Sequence, residues 1–382
     1  MYYIENARVV LEDGIIWDGA IVTDGPVITA VGERSEIQIP ENAERMDAQG
    51  RYVGPGFVDI HVHGGGGYHF YENPEGAAEH FLSGGETTIL PTLYYDLSRD
   101  EFAAAIDTVR AAMENGKAAK AIAGFYMEGP YMNPKYGARP EMNKWKGEIR
   151  REDYSVIVDR AGKYAKVWAV APEREGLEPF MEYAKSVNPD VVFAVGHSEA
   201  TPAQIKKLKK YGIRLQTHCM DATGRVPTWE GTRPVGPDEA CMLDPDMYAE
   251  MICDSMGIHV CSELQRQIVR TKGLDRVILI TDSFVSEEES PENLRHVKDL
   301  VFDPLGRLNG SRLTLNMACR NLMHHTNCGI AQAFRLASSN PAKAVGLYDE
   351  VGSIEPGKKA NLVFTDDMFN VDRVMLEGRL WK

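Results

Sequence analysis

From about residue 54 to residue 344 the chain repeats a rhythm rather than a sequence. Short apolar runs end in polar residues, and each gives way to a longer stretch with helical periodicity. The runs are GFVDI, TTILPT, AIAGFYM, VWAVAP, VVFAVG, RLQT, AEMIC and RVILIT. Helix candidates between them include RDEFAAAIDTVRAAMENG, EPFMEYAKSV and TPAQIKKLKKYG. Runs this uniformly apolar suit strands buried on both faces, the condition of a parallel sheet covered by helices. Eight of them in alternation predict a (β/α)8 TIM barrel, an α/β fold spanning 54–344. A doubly wound open sheet fits less well, because no GxGxxG follows the first run.

The two ends are of another kind. YYIENARVV, IIWDGAIVT and PVITAVG are β-prone runs split by the turn signals EDG and TDG, and the closing residues carry NLVF and RVML between polar turns. They predict one small β-sandwich domain built from both termini, 1–53 with 345–382. No run approaches the roughly 18–20 apolar residues of a membrane span. The opening MYYIENARVVLEDG lacks the basic and apolar regions of a signal peptide. The six cysteines include no C-x-x-C pair, so reduced thiols in a cytoplasmic protein are expected. A net charge of −14 argues against a general binder of nucleic acid or anionic membrane. An anionic substrate would need a few local basic groups to hold it.

Active sites of (β/α)8 barrels lie at the C-terminal ends of the strands. There the first run ends in Asp59-Ile60-His61-Val62-His63, the third in Glu128-Gly129-Pro130 and the fifth in Gly196-His197-Ser198. The sixth ends in Thr217-His218, the seventh leads through Cys253-Asp254 to His259, and the eighth ends in Thr281-Asp282-Ser283. His61 and His63, two apart on an extended segment, point to the same side. An HxH pair alone is weak evidence. Together with Glu128, His197, His218 and Asp282 it forms an imidazole and carboxylate set suited to zinc or a similar divalent metal.

With these strand ends in place, the chain resembles the amidohydrolase superfamily, and within it the N-acetylglucosamine-6-phosphate deacetylase family. The resemblance runs from end to end through PGFVDIHVHGGGG, MEGPYMNPKYGA, GHSEAT, THCMDA, GIHV, LITDS, GSRLT, ASSNPAKAVGL and GSIEPGKKANLVF. It implies a core metal site at Glu128, His197 and His218, and a second position at His61 and His63 of the kind two-metal members possess. Zinc and iron both suit these ligands, one or two per subunit. The resemblance also makes Asp282 the catalytic base and acid, able to touch a metal as well. It makes His259 a phosphate contact and Arg233 the arginine that reaches the phosphate from a neighbouring subunit, hence a homodimer. The implied reaction is removal of the acetyl group from an N-acetylated amino-sugar 6-phosphate, a small-molecule substrate.

The departures from the family pattern fall on substrate-contacting positions. Asp221-Ala222 stands where the family has Asn-Ala, and Gly137-Ala138-Arg139 where it has Gly-Ala-His. Two extra residues precede His259, and RVPTWEGTRPVG is longer than usual before Arg233. Another amidohydrolase acting on a different amide is therefore the main alternative. A non-catalytic metal-binding protein is a weaker one, since it has no use for Asp282 beside an open metal position. Several other features read as structural. Gly64–Gly67 lacks the Lys-Ser or Lys-Thr of a P-loop and reads as a tight turn beside the metal site. Cys219 alternates away from the side of His218, His324-His325 reads as surface or interhelical, and His69, His80 and His296 have no evident partner. Lys144 and Lys146 lie off the strand ends, which speaks against a carboxylated bridging lysine.

Overall fold

In the computed structural model, which describes residues 1–381, eight parallel strands succeed one another in chain order around a barrel. They are Phe57–Val62, Glu86–Tyr94, Phe125–Glu128, Ala165–Val170, Val192–Val195, Ile213–Gln216, Tyr248–Ile252 and Val277–Ile280, here called the first to eighth barrel strands. Each corresponds to one of the eight apolar runs. The first and eighth meet through backbone bonds at or just past their ends, Asp282 N–H to His61 O (3.0 Å), and His63 N–H (2.9 Å) and Gly64 N–H (3.1 Å) to Ser283 O. The seam thus closes at the C-terminal rim, where the chemistry-bearing residues lie.

The helix candidates form where their end signals place them. Arg99–Asn115 opens with a capping box, Ser98 accepting from Glu101 N–H while the Glu101 carboxylate accepts from Ser98 N–H. Leu177–Val187 buries Phe180, Met181 and Ala184. Pro202–Leu208 begins with a second capping box, Thr201 with Gln204, and tightens into a 3₁₀ turn, Lys209–Tyr211, that stops at Gly212. Gly212 has φ +97°, a left-handed conformation that favours glycine.

Both termini build one mixed sheet. From the N-terminal side come Tyr2–Val10, Ile15–Asp24, Val27–Glu33, Glu44–Asp47 and Tyr52–Pro55; from the other end come Leu362–Thr365, Val371–Leu376 and Arg379–Leu380. Tyr2–Val10 pairs with Glu44–Asp47 along its first half and with Tyr52 and Val53 further on. Leu362–Thr365 then pairs antiparallel with Tyr52–Pro55, which stitches the last strands to the first. Ile4, Val9, Ile21, Val53, Leu362, Phe364 and Met375 form a core of their own in this sheet. Phe334 joins it to the barrel, stacking on Phe57 (5.3 Å between centroids) and lying against Phe369 and Gly54. Among the described residues no helix is long and apolar enough to cross a membrane. All six cysteines are free thiols, and only Cys261 is exposed.

Candidate active site

The rim of the barrel brings together all six residues that the strand ends nominate as ligands. His63 Nε2 lies 3.1 Å from Glu128 Oε2 and 3.1 Å from Asp282 Oδ1. His61 Nε2 lies 3.4 Å from Glu128 and 3.5 Å from Asp282. On the other side of Glu128, Oε1 is 2.7 Å from His197 Nε2 and 3.1 Å from His218 Nε2, and the two imidazole nitrogens are 3.2 Å apart. Two groups that could each hold a metal ion result, His61-His63-Glu128-Asp282 and Glu128-His197-His218, each with its donor atoms within 4.8 Å of one another. Glu128 belongs to both, one oxygen facing each.

The local backbone serves this convergence. His197, His218 and Asp282 have φ of +43°, +27° and +46°, left-handed values that cost a non-glycine residue about 1–3 kcal/mol each. The strain turns three side chains inward at the points where the fifth, sixth and eighth strands end. Gly64–Gly65 pairs with Tyr68–His69 as the tight turn the glycine run predicts. A Cβ on Gly64 would lie 2.4 Å from Tyr68 O, so no side chain fits there.

Buried groups around the cluster hold it in orientation. Glu250, fully buried in the seventh strand, sits 3.2 Å from His61 Nδ1 and within 3.4 Å of the Tyr126 hydroxyl, so Nε2 of His61 is turned to the cluster. His218 Nδ1 meets Asp221 O at 3.1 Å. Asp59 accepts from the Thr281 hydroxyl and from His61 N–H, and burial pushes its carboxyl up to about 7. Burial opposes charge on Glu128 as well, but the His61 and His197 imidazoles hold its carboxyl well below the ordinary carboxylate range. For His218 burial is again opposed, chiefly by the Glu128 hydrogen bond, and its pKa rises to about 9. His197 goes the other way, since burial outweighs Glu128 and lowers it.

The cluster floors a cavity of about 250 Å³. Its wall includes Asp221, Ala222, Ala138 and His259 among the residues the sequence nominates, together with Tyr94, Phe284, Arg307 and Asn309, which it does not. His259 is buried, its Nδ1 held at 3.1 Å by Asp254, while its Nε2 has no protein partner. Burial works against its charge, but Asp254 and Asp221 raise its pKa. Arg307 reaches the rim from the hairpin Leu300–Phe302/Leu308–Ser311 and pairs with Glu141 and Asp303, tying two loops together at the mouth. Arg139, also nominated by the sequence, stands just outside the cavity wall. Its guanidinium pairs with Asp96 at 3.4 Å and lies over the ring of Phe284, which lines the cavity. Arg233 is not brought to the cavity within one chain; it sits on an exposed loop. His325 is interhelical, bonded to Gln265 and Ser255 O, and Lys144 pairs with Glu101. Of the missed residues, Glu250 left a signal: a lone carboxylate inside the apolar run AEMIC. Tyr94 and Arg307 left none, because a tyrosine at a strand end and an arginine in a polar loop are ordinary.

The profile of the amidohydrolase family matches residues 52–381. The chain belongs to that family. Among curated amidohydrolases it is similar to the N-acetylglucosamine-6-phosphate deacetylase of Haemophilus influenzae, 26% identical over 100% of this chain and 99% of the relative. It is also similar to the N-acetylgalactosamine-6-phosphate deacetylase of Escherichia coli O157:H7, 28% identical over 99% of both. Among solved structures it superposes on a Mycobacterium smegmatis N-acetyl-D-glucosamine-6-phosphate deacetylase, an aspartate-to-alanine variant in complex with N-acetyl-D-glucosamine-6-phosphate. The TM-score is 0.83 at 26% identity, covering 99% of this chain and 98% of that one.

Proposed function

We propose that this amidohydrolase removes the acetyl group from an N-acetylated amino-sugar 6-phosphate, giving the amino-sugar phosphate and acetate. N-acetylglucosamine 6-phosphate is the lead substrate and its galactosamine epimer the second, following the relatives' activities. The observation that carries the reading is the convergence of four imidazoles and Glu128 beside Asp282 on the floor of a cavity. A divalent cation fits this donor set. His61 Nε2 is buried with no hydrogen-bond partner, and the surrounding donors are the nitrogens and carboxylate oxygens that zinc and iron accept. His61, His63, Glu128 and Asp282 would hold one ion, and Glu128, His197 and His218 a second. A cation bound there supplies Lewis acidity, polarising a carbonyl oxygen and easing deprotonation of water.

The chain's own groups do the rest. Asp282, held below the ordinary carboxylate range by His61 and His63 against its burial, is ionised at neutral pH. It takes a proton from water as the water oxygen attacks the acetyl carbon. It then delivers that proton to the amide nitrogen as the C–N bond breaks, since an amine leaves poorly unless protonated. His259, oriented by Asp254, offers Nε2 to an anionic oxygen at the far end of the substrate, turning remote binding into orientation at the reacting centre. Arg233 fits the same task only from a second subunit, so the active form we propose is a cytoplasmic homodimer. The test is acetate release by metal-loaded protein from N-acetylglucosamine 6-phosphate, N-acetylgalactosamine 6-phosphate and their unphosphorylated forms. The expected result is a strong preference for a phosphorylated sugar. Equal rates with and without the phosphate would move the assignment to a different amide.

A further inference from the structure

The second barrel strand delivers to the same rim a residue that the chemistry above does not use. Tyr94 is the last residue of that strand and lines the cavity. Its ring is edge-on to His63, with centroids 5.3 Å apart and planes at 81°, and to His197 at 6.2 Å and 64°. His63 belongs to one ligand set and His197 to the other, so Tyr94 stands against the seam that Glu128 shares. The ring has no room to retreat. Fully buried Tyr95 lies behind it with centroids 3.8 Å apart. A Cβ on Gly137, whose φ is +108°, would fall 2.0 Å from Tyr95 Oη and 2.9 Å from Tyr94 Oη. The two phenols occupy the space that a side chain at 137 would need. Burial also pushes the Tyr94 hydroxyl well above its ordinary pKa, so the wall is uncharged at neutral pH.

A bound amide has two ends. Its carbonyl carbon must sit over the cluster within reach of Asp282, and in the proposed binding mode its nitrogen carries the sugar toward His259 and Asp221, which line the same cavity. The acyl substituent is then left facing the wall beside His63 and His197. We infer that Tyr94 is the residue that selects the acyl group, its fixed ring admitting an acetyl methyl and excluding longer chains. This rests on the deacetylase reading and adds to it a specificity determinant.

The test compares N-acetyl, N-propionyl and N-butyryl glucosamine 6-phosphate as substrates for the wild type, Tyr94→Phe and Tyr94→Ala, with metal content measured on each. One methylene in a closely fitting pocket discriminates about 10- to 200-fold. The wild type and Tyr94→Phe should therefore favour acetyl over propionyl by at least about tenfold. Tyr94→Ala should raise the propionyl-to-acetyl ratio of kcat/KM by about tenfold or more while retaining its metal. If the alanine variant fails to fold, Tyr94→Leu, shorter in reach but still apolar, carries the same expectation. A wild type that cleaves acetyl and propionyl amides equally, or a metal-loaded small-residue variant with an unchanged ratio, overturns the role of Tyr94 and leaves the deacetylase reading standing. No acid released by the wild type from any of the three amides overturns both.

Discussion

At the scale of single residues, the proposed turnover rests on the proton Asp282 takes and gives, and metal loading on the proton His218 gives up. Asp282→Asn keeps nearly the same shape but cannot accept a proton from water. Turnover should fall by about 10²- to 10⁴-fold, the usual worth of a positioned acid–base group, while substrate still binds. Steady-state rates with parallel metal analysis check this; a fully metallated variant with near-normal turnover removes Asp282 as the base. His218 gives a pH dependence whose sign can be worked out. Its pKa in the metal-free protein is raised to about 9, against burial and mainly through Glu128, so at pH 7 the imidazole carries a proton. A metal ligand must be unprotonated, so loading expels that proton, and affinity should rise about tenfold per pH unit for each proton displaced until roughly pH 9. Calorimetric titration in buffers of different ionisation enthalpy should show at least one proton released per metal at pH 7. No release at that pH would mean that metal binding expels no proton from His218, and would contradict a protonated His218 ligand.

At the scale of elements, the eight barrel strands were legible because parallel strands buried on both faces leave uninterrupted apolar runs, and VWAV or VILI has few other places to go. The cluster at the rim was legible for the complementary reason: polar residues that end apolar runs, such as His197 and Asp282, are conspicuous. What could not be read is anything decided across the barrel. The carboxylate of Glu250 stood out in AEMIC, but its partner His61 lies across the barrel, and Arg307 reaches the cavity only because a distant hairpin brings it to the mouth. The connection of the terminal sheet to the barrel is likewise a tertiary matter. It turns on Gly54, where a Cβ would lie 2.1 Å from Phe334 Cε1. Phe334 is hemmed in by Phe57 and Phe369 and has no direction in which to yield. Gly54→Ala should therefore cost about 1–3 kcal/mol by overpacking, read as a lower denaturation midpoint, with metal content unchanged. An unshifted midpoint would show that this junction is looser than the close contact implies.

At the scale of the whole molecule, a chain of net charge −14 sets a single arginine, Arg307, in the cavity wall and buries its candidate metal cluster below. Such a molecule draws little from diffuse electrostatic attraction for an anionic substrate, so capture falls to specific groups such as His259. Its activity should depend entirely on the cluster, because without a cation there the carbonyl is not polarised for attack by water and Asp282 has no acidified water to deprotonate. The most direct measurement follows acetate release from N-acetylglucosamine 6-phosphate after the protein is stripped with chelator, shown by elemental analysis to be metal-free, and titrated with zinc or ferrous iron. The expected result is negligible release from the stripped protein and recovery that rises with bound metal and levels off at one or two equivalents per chain. Undiminished acetate release from protein verified to be metal-free would contradict it.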